Sequence, residues 1–312
     1  MAGFTITGGV SFSGAVSMSD APPLENTAAW FGGGSPGPVS TVQRITYATD
    51  TATASVRGPL SAAIVYLAAA GNFDYGWFVG GKQGPLSTVQ RITYTTDTAT
   101  ASVRGPLSSG RYALAAAGND TDGWFGGGYN SIAPYNKSTV DRITYATDTA
   151  TASVRGSLSA GTSRFAAAGN TTNGWFGGGV NLSTVDRITY ATDTATASVR
   201  GPLSLARYAL TAAGNETDGW FGGGLGGSPR STVDRITYAT DTATASVRGP
   251  LSAARYFLAA AGNTTDGWFS GGIPGPLSTV NRITYATDTA TASVRGPLSA
   301  GRYGLAAAGG IQ

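Results

Sequence analysis

The chain contains no cysteine and no histidine, and only two glutamates, Glu25 and Glu216. Without thiols or imidazoles there are no disulfides, no thiolate or histidine catalysis, and none of the usual zinc, copper or haem ligand sets. Charge is also scarce: 12% of the 312 residues are Asp, Glu, Lys or Arg, with a net charge of +3. The cations are nearly all Arg and are spread evenly, so there is no basic stripe of the kind nucleic acid requires. No apolar run approaches the roughly 20 residues of a membrane span. The first 19 residues lack both a basic n-region and an unbroken apolar core, so a soluble protein made without a Sec-type signal is expected. A hydrophobic share of 41% nonetheless argues against a disordered polar chain.

What the chain has instead is repetition. Trp30, Trp77, Trp124, Trp175, Trp220 and Trp268 recur at intervals of roughly 45 to 51 residues, each opening a similar passage. The copy from Ala206 to Gly249 reads as four strands. Arg207 to Gly214 is short, apolar and built from small side chains, and Asn215 to Gly219 is a turn by composition. Trp220-Phe221 begins an aromatic strand ending in Gly222, Gly223 and Gly224. Ser231 to Tyr238 alternates with period two, as does Thr242 to Arg248 beyond a turn at Ala239 to Asp241. Gly249-Pro250 ends the copy, since Pro cannot continue a central ladder. Four strands in each of six repeats give an all-β fold, a six-bladed β-propeller spanning residues 28–312. The chain enters at Ala28-Ala29-Trp30, midway through a repeat, and finishes at Arg302 to Gly309, the segment that should precede a Gly-Trp. The C-terminal strand is therefore expected to complete the first blade and close the ring.

The order of small apolar strand, aromatic strand ending in Gly-Gly, then Val-x-Arg-Ile-x-Tyr and a last strand resembles the kelch repeat. One departure is that Ala54 and its equivalents stand where kelch repeats carry a Trp on the last strand. The near-identical Trp-Phe-Gly-Gly-Gly and Ala-Thr-Ala-Ser-Val-Arg-Gly passages are also similar to repeats in structural proteins and tail fibres of marine cyanobacterial phages. That resemblance implies a virion protein.

Two Arg series recur in every copy, in Ser-Val-Arg-Gly and in Arg-Ile-Thr-Tyr. They read as an ion-pair lattice with Asp50, Asp97, Asp148, Asp193, Asp241 and Asp288, together with Asp141, Asp186 and Asp234. A third series, Arg111, Arg164, Arg207, Arg255 and Arg302, starts the inner strands and is a candidate anion-binding ring at the channel mouth, broken at Ile64 or Val65. Asn119 to Gly123 has a faint calcium-loop composition, but its counterparts do not keep the acids and a plain turn is expected. No metal site and no cofactor are predicted. Enzymatic chemistry is not expected, because galactose-oxidase-like propellers need Cys and His, and sialidase-like ones need a singular Tyr–Glu pair.

The loop after each Gly triplet is what varies, and it is expected on the same face as the links between blades. The longest carries Tyr129, Asn130, Tyr135, Asn136 and Lys137, and another carries Arg230. These are candidate contacts for a sugar or a protein. Residues 1–27 form a separate arm and linker, in which Phe4, Ile6, Val10, Phe12 and Val16 alternate with small polar residues as candidate anchors. The arm is expected to bind other virion proteins or copies of the same chain, giving a homo-oligomer. The function expected is a non-enzymatic virion structural protein, a tail fibre or capsid decoration, attaching to a host surface glycan or protein or stabilising the particle. No nucleic acid and no membrane insertion are expected. The alternative is a cytoplasmic, kelch-like interaction module of a cell.

Overall fold

The structure is a computed structural model and describes residues 27–309. Six four-stranded antiparallel sheets form the blades. Blade 1 pairs Ala306–Ala308, Ala28–Gly32, Val42–Thr46 and Ser55–Arg57, so the C-terminal strand closes the ring as the sequence predicts, with Trp30 opposite Ala308. Blades 2 to 6 run from Ala68 to Arg104, Ala115 to Arg155, Ala166 to Arg200, Thr211 to Arg248 and Ala259 to Arg295.

Inner strands are nearly pure Ala because six of them converge on one axis and only small side chains allow that approach. The strand extents differ from the sequence reading: the second strand begins at Asp218, inside the expected turn, and the third is Val233–Thr237, but the inner and outer strands change most. The inner strand of blade 5 is Thr211–Gly214, not Arg207 to Gly214, because residues 207–210 turn aside to meet the neighbouring blades. The outer strand is Ser246–Arg248, not Thr242 to Arg248. A 3-10 turn at Tyr238–Thr240 carries the chain away, and the Ala245 amide donates instead to the Pro202 carbonyl of the preceding blade.

The blades are welded by one motif repeated six times. Each Trp stacks on the Tyr that ends the third strand of the next blade (Trp30 on Tyr94, and so on round to Trp268 on Tyr47), with ring centroids 3.7–3.9 Å apart and planes within 4–11°. Its indole Nε1 donates to an Asp of that same next blade at 2.8–2.9 Å, Trp30 to Asp97 and Trp268 to Asp50 being two of the six. Two Arg of the Trp's own blade approach the same carboxylate oxygen, at 3.0–3.2 Å and 3.4–3.5 Å. The first two Arg series thus form a lattice with Asp50, Asp97, Asp148, Asp193, Asp241 and Asp288. Three donors converging on one buried carboxylate oxygen are charge-assisted contacts that fix geometry as well as adding energy.

Candidate functional site

The Gly pair after each second strand turns the chain onto one face of the propeller. In blade 1 these are Gly33 and Gly34, at φ +72° and +104°, and a Cβ on Gly33 would lie 2.6 Å from the Ile64 carbonyl oxygen. Backbone approach this close needs glycine. The variable loop that follows bridges back to the link preceding the inner strand of its own blade, as in Tyr129 with Tyr112, Leu225 with Tyr208 and Ile273 with Tyr256. Variable loops and inter-blade links therefore share a face, as expected.

At the centre of that face lies a closed ring of six backbone hydrogen bonds. The amide of Tyr66 donates to the carbonyl of Gly304, Gly304 to Phe257, Phe257 to Ala209, Ala209 to Arg164, Arg164 to Ala113 and Ala113 to Tyr66, all at 2.6–2.8 Å. All six residues adopt the left-handed conformation, with φ between +54° and +63°. Only one is glycine. A non-glycine residue there costs about 1–2 kcal/mol, yet five of the six keep a side chain.

Below the ring the axial channel is lined by Leu67, Leu114, Phe165, Leu210, Leu258 and Leu305 and then by two tiers of Ala, with Thr211 its one hydroxyl. Its cavity is only about 100 Å³ and its lining carries no titratable group. At the opposite end of each inner hairpin, turns such as Asn119 to Asp122 are Asx turns. Asn119 Oδ1 accepts from the amides of Thr121 and Asp122, while Asp122 Oδ1 accepts from the Thr144 hydroxyl. The carboxylate is used within the fold, as a plain turn requires.

The third Arg series does not form a ring at the mouth. Arg111, Arg207, Arg255 and Arg302 are buried. Arg111 pairs with Asp141 and Arg207 with Asp234 at 3.1 Å, while Arg255 donates to the carbonyls of Phe269 and Thr279, and Arg302 to that of Thr41. Their guanidiniums tie the link that carries them to the second and third strands of the blade it enters, so they serve packing. Burial pulls Arg255 down to about 10, since it faces no carboxylate. Arg164 shares the residue type of this series but occupies the position of Ala113. Thr162 stands in the Arg111 position, and Arg164 alone of the five is exposed at the mouth.

The loop candidates do reach the variable face. Tyr135 is 54% exposed, Asn136 is exposed, and Tyr129, Asn130, Lys137 and Arg230 are partly exposed. Asn130 Nδ2 donates to the Gly110 carbonyl, Asn136 Oδ1 accepts from Ser163, Lys137 Nζ reaches the Ile132 carbonyl and Arg230 that of Gly226, so these four also shape their own loops. The anchoring candidates Phe4, Ile6, Val10, Phe12 and Val16 lie outside the described residues.

Comparison with known proteins agrees on the architecture. A solved structure of YjhT superposes with a TM-score of 0.66 at 11% identity, covering 80% of this chain and 88% of that one. At that identity the likeness is one of fold. No family model matches the sequence, and no curated protein is similar to it in sequence.

Sequence reasoning missed the mouth ring. The signal was present: in copies that otherwise repeat almost word for word, one position reads Tyr66, Ala113, Arg164, Ala209, Phe257 and Gly304. It is the least uniform position next to an inner strand, and it lies where the blades meet.

Proposed function

We propose that the protein is a non-enzymatic structural component of a virion, holding its variable face outward as an attachment surface. One observation carries this reading: the repeated positions build a ring around a narrow channel whose lining carries no titratable group, while variation is gathered on one face. A channel of about 100 Å³ with no titratable lining offers neither space nor an acid, base or nucleophile for a substrate. A rigid scaffold with differing loops suits recognition. The virion assignment rests on the similarity of the repeats to those of phage structural proteins, and residues 1–27 are assigned the attachment to neighbouring virion proteins.

Antibody labelling of purified particles tests this. The protein is expected in the particle fraction, and a chain lacking residues 1–27 is expected to be excluded from it. Recovery of both forms solely with soluble cell proteins would instead support a cellular interaction module.

A further inference from the structure

Five of the six mouth residues occupy a strained conformation that glycine would relieve, and the side chains kept there are not equivalent. Tyr66 and Phe257 flank Gly304 and approach each other at 4.9 Å across it. Opposite them Arg164 stands between Ala113 and Ala209. Retained strain points to a use for these side chains on the face they share.

The aromatics do not stop at the mouth. Ring to ring, Tyr256, Phe257, Tyr66, Tyr112, Tyr129 and Tyr135 follow one another at 5.3, 4.9, 6.5, 5.2 and 5.8 Å, an unbroken band from the axis to the rim through the longest loop. Each is at least partly open to solvent. Cations border the band. Lys82 Nζ lies 5.5 Å from the Tyr112 ring centroid, Arg164 lines the mouth cavity together with Tyr66 and Phe257, and Lys137 follows Tyr135 and Asn136. A cleft of about 360 Å³ opens beside it, walled by Tyr66 and Tyr303 with Lys82 and Gln83 at its edge.

Lys82, Arg164 and Lys137 make no ion pair among the described residues, whereas most other Arg do. The described acids are elsewhere: in the Trp–Asp lattice, buried at positions 141, 186 and 234, or in the turns of the opposite face, such as Asp74, Asp122 and Glu216. The band thus combines flat amphipathic rings with cations that no local carboxylate neutralises.

We propose that this band is the binding site for an acidic polysaccharide, a chain of carboxylate-bearing sugar rings laid from the channel mouth to the Tyr135 rim. The proposal rests on the attachment reading above and names the ligand class. Tyr rings offer rigid contact area with little entropy to lose, and their hydroxyls both donate and accept. The planar Arg164 fork matches a carboxylate. An acidic peptide is a poorer fit, because strands end at this face and offer no free edge for main-chain pairing.

Titration calorimetry of the full chain with an oligouronate long enough to cover the band is expected to show binding that weakens as salt rises. Arg164→Gly is expected to bind about tenfold more weakly, the loss of one charge-assisted hydrogen bond, while melting no lower than the parent, because the strain at φ +58° is removed. Tyr135→Ala should weaken the long oligomer and leave a disaccharide unaffected. Absence of binding, equal binding of an uncharged oligosaccharide, equal binding of polyglutamate, or an Arg164→Gly variant with unchanged affinity would each overturn the proposal. Particle incorporation is read separately: a protein that enters particles but ignores oligouronate sinks the ligand alone. One that binds oligouronate but stays out of particles sinks the virion reading.

Discussion

Arg255 and Asn281 stand where blades 3 and 5 hold Arg111 with Asp141 and Arg207 with Asp234, each acid or amide lying opposite the second-strand Phe in the same register. The repeat therefore contains its own control. A fully buried cation without a carboxylate is costly, and restoring the partner relieves that cost. Asn281→Asp is expected to stabilise the fold by about 2 kcal/mol, with Ser252 holding the new carboxylate as Ser108 holds Asp141. Chemical denaturation of the variant against the parent checks the sign. The reverse experiment is Asp193→Ala, which strands the Trp124 indole and the Arg142 and Arg155 guanidiniums at once. It should cost about 3 kcal/mol, and Trp124→Phe, which removes one donor and part of the ring stacked on Tyr190, about 2–3 kcal/mol. A lattice of this kind was readable from the regular spacing of Arg and Asp. The fate of the third Arg series was not, because a strand start and a buried inter-blade corner carry the same local pattern.

At the scale of the strand, the Trp–Tyr stack couples each blade to the next. Burial holds the hydroxyls of Tyr47, Tyr94, Tyr145, Tyr190, Tyr238 and Tyr285 protonated above their ordinary value of 10.0. A phenol whose folded-state pKa is raised contributes stability below the unfolded value and loses it as pH climbs beyond that point. The ring is therefore expected to unfold steeply above about pH 10, with tyrosinate absorbance and loss of Trp fluorescence order rising together. Stepwise tyrosinate formation while the fold persists would contradict that coupling. Strand existence and order were legible because period-two alternation and Gly turns are local signals. Strand ends were not: the shortened outer strand depends on Ala245 bonding to Pro202 of another blade, a partner no local pattern names.

At the scale of the whole molecule, the first blade borrows its inner strand from the end of the chain. Removing residues 303–312 deletes that strand and the Gly304 member of the mouth ring together. Loss of the single cooperative melt is expected in calorimetry, whereas an open array would lose about one repeat's share of stability. Closure was legible from where the repeat begins and stops. The recognition face was only half legible: its loops announced themselves by differing, but the band through Phe257, Tyr66 and Tyr112 exists only once six distant segments meet around one axis.

The mouth ring also bears on how such a face can diversify. Its six bonds use an amide and a carbonyl that every residue but proline supplies, and they circulate head to tail, so their dipoles cancel around the circle. The bonds that close the ring are thus indifferent to which side chain each position carries, within what the left-handed backbone admits. A lineage under pressure to change its target can alter mouth side chains while the six ring bonds, the lattice and the closure persist, provided the new residue accepts a left-handed backbone.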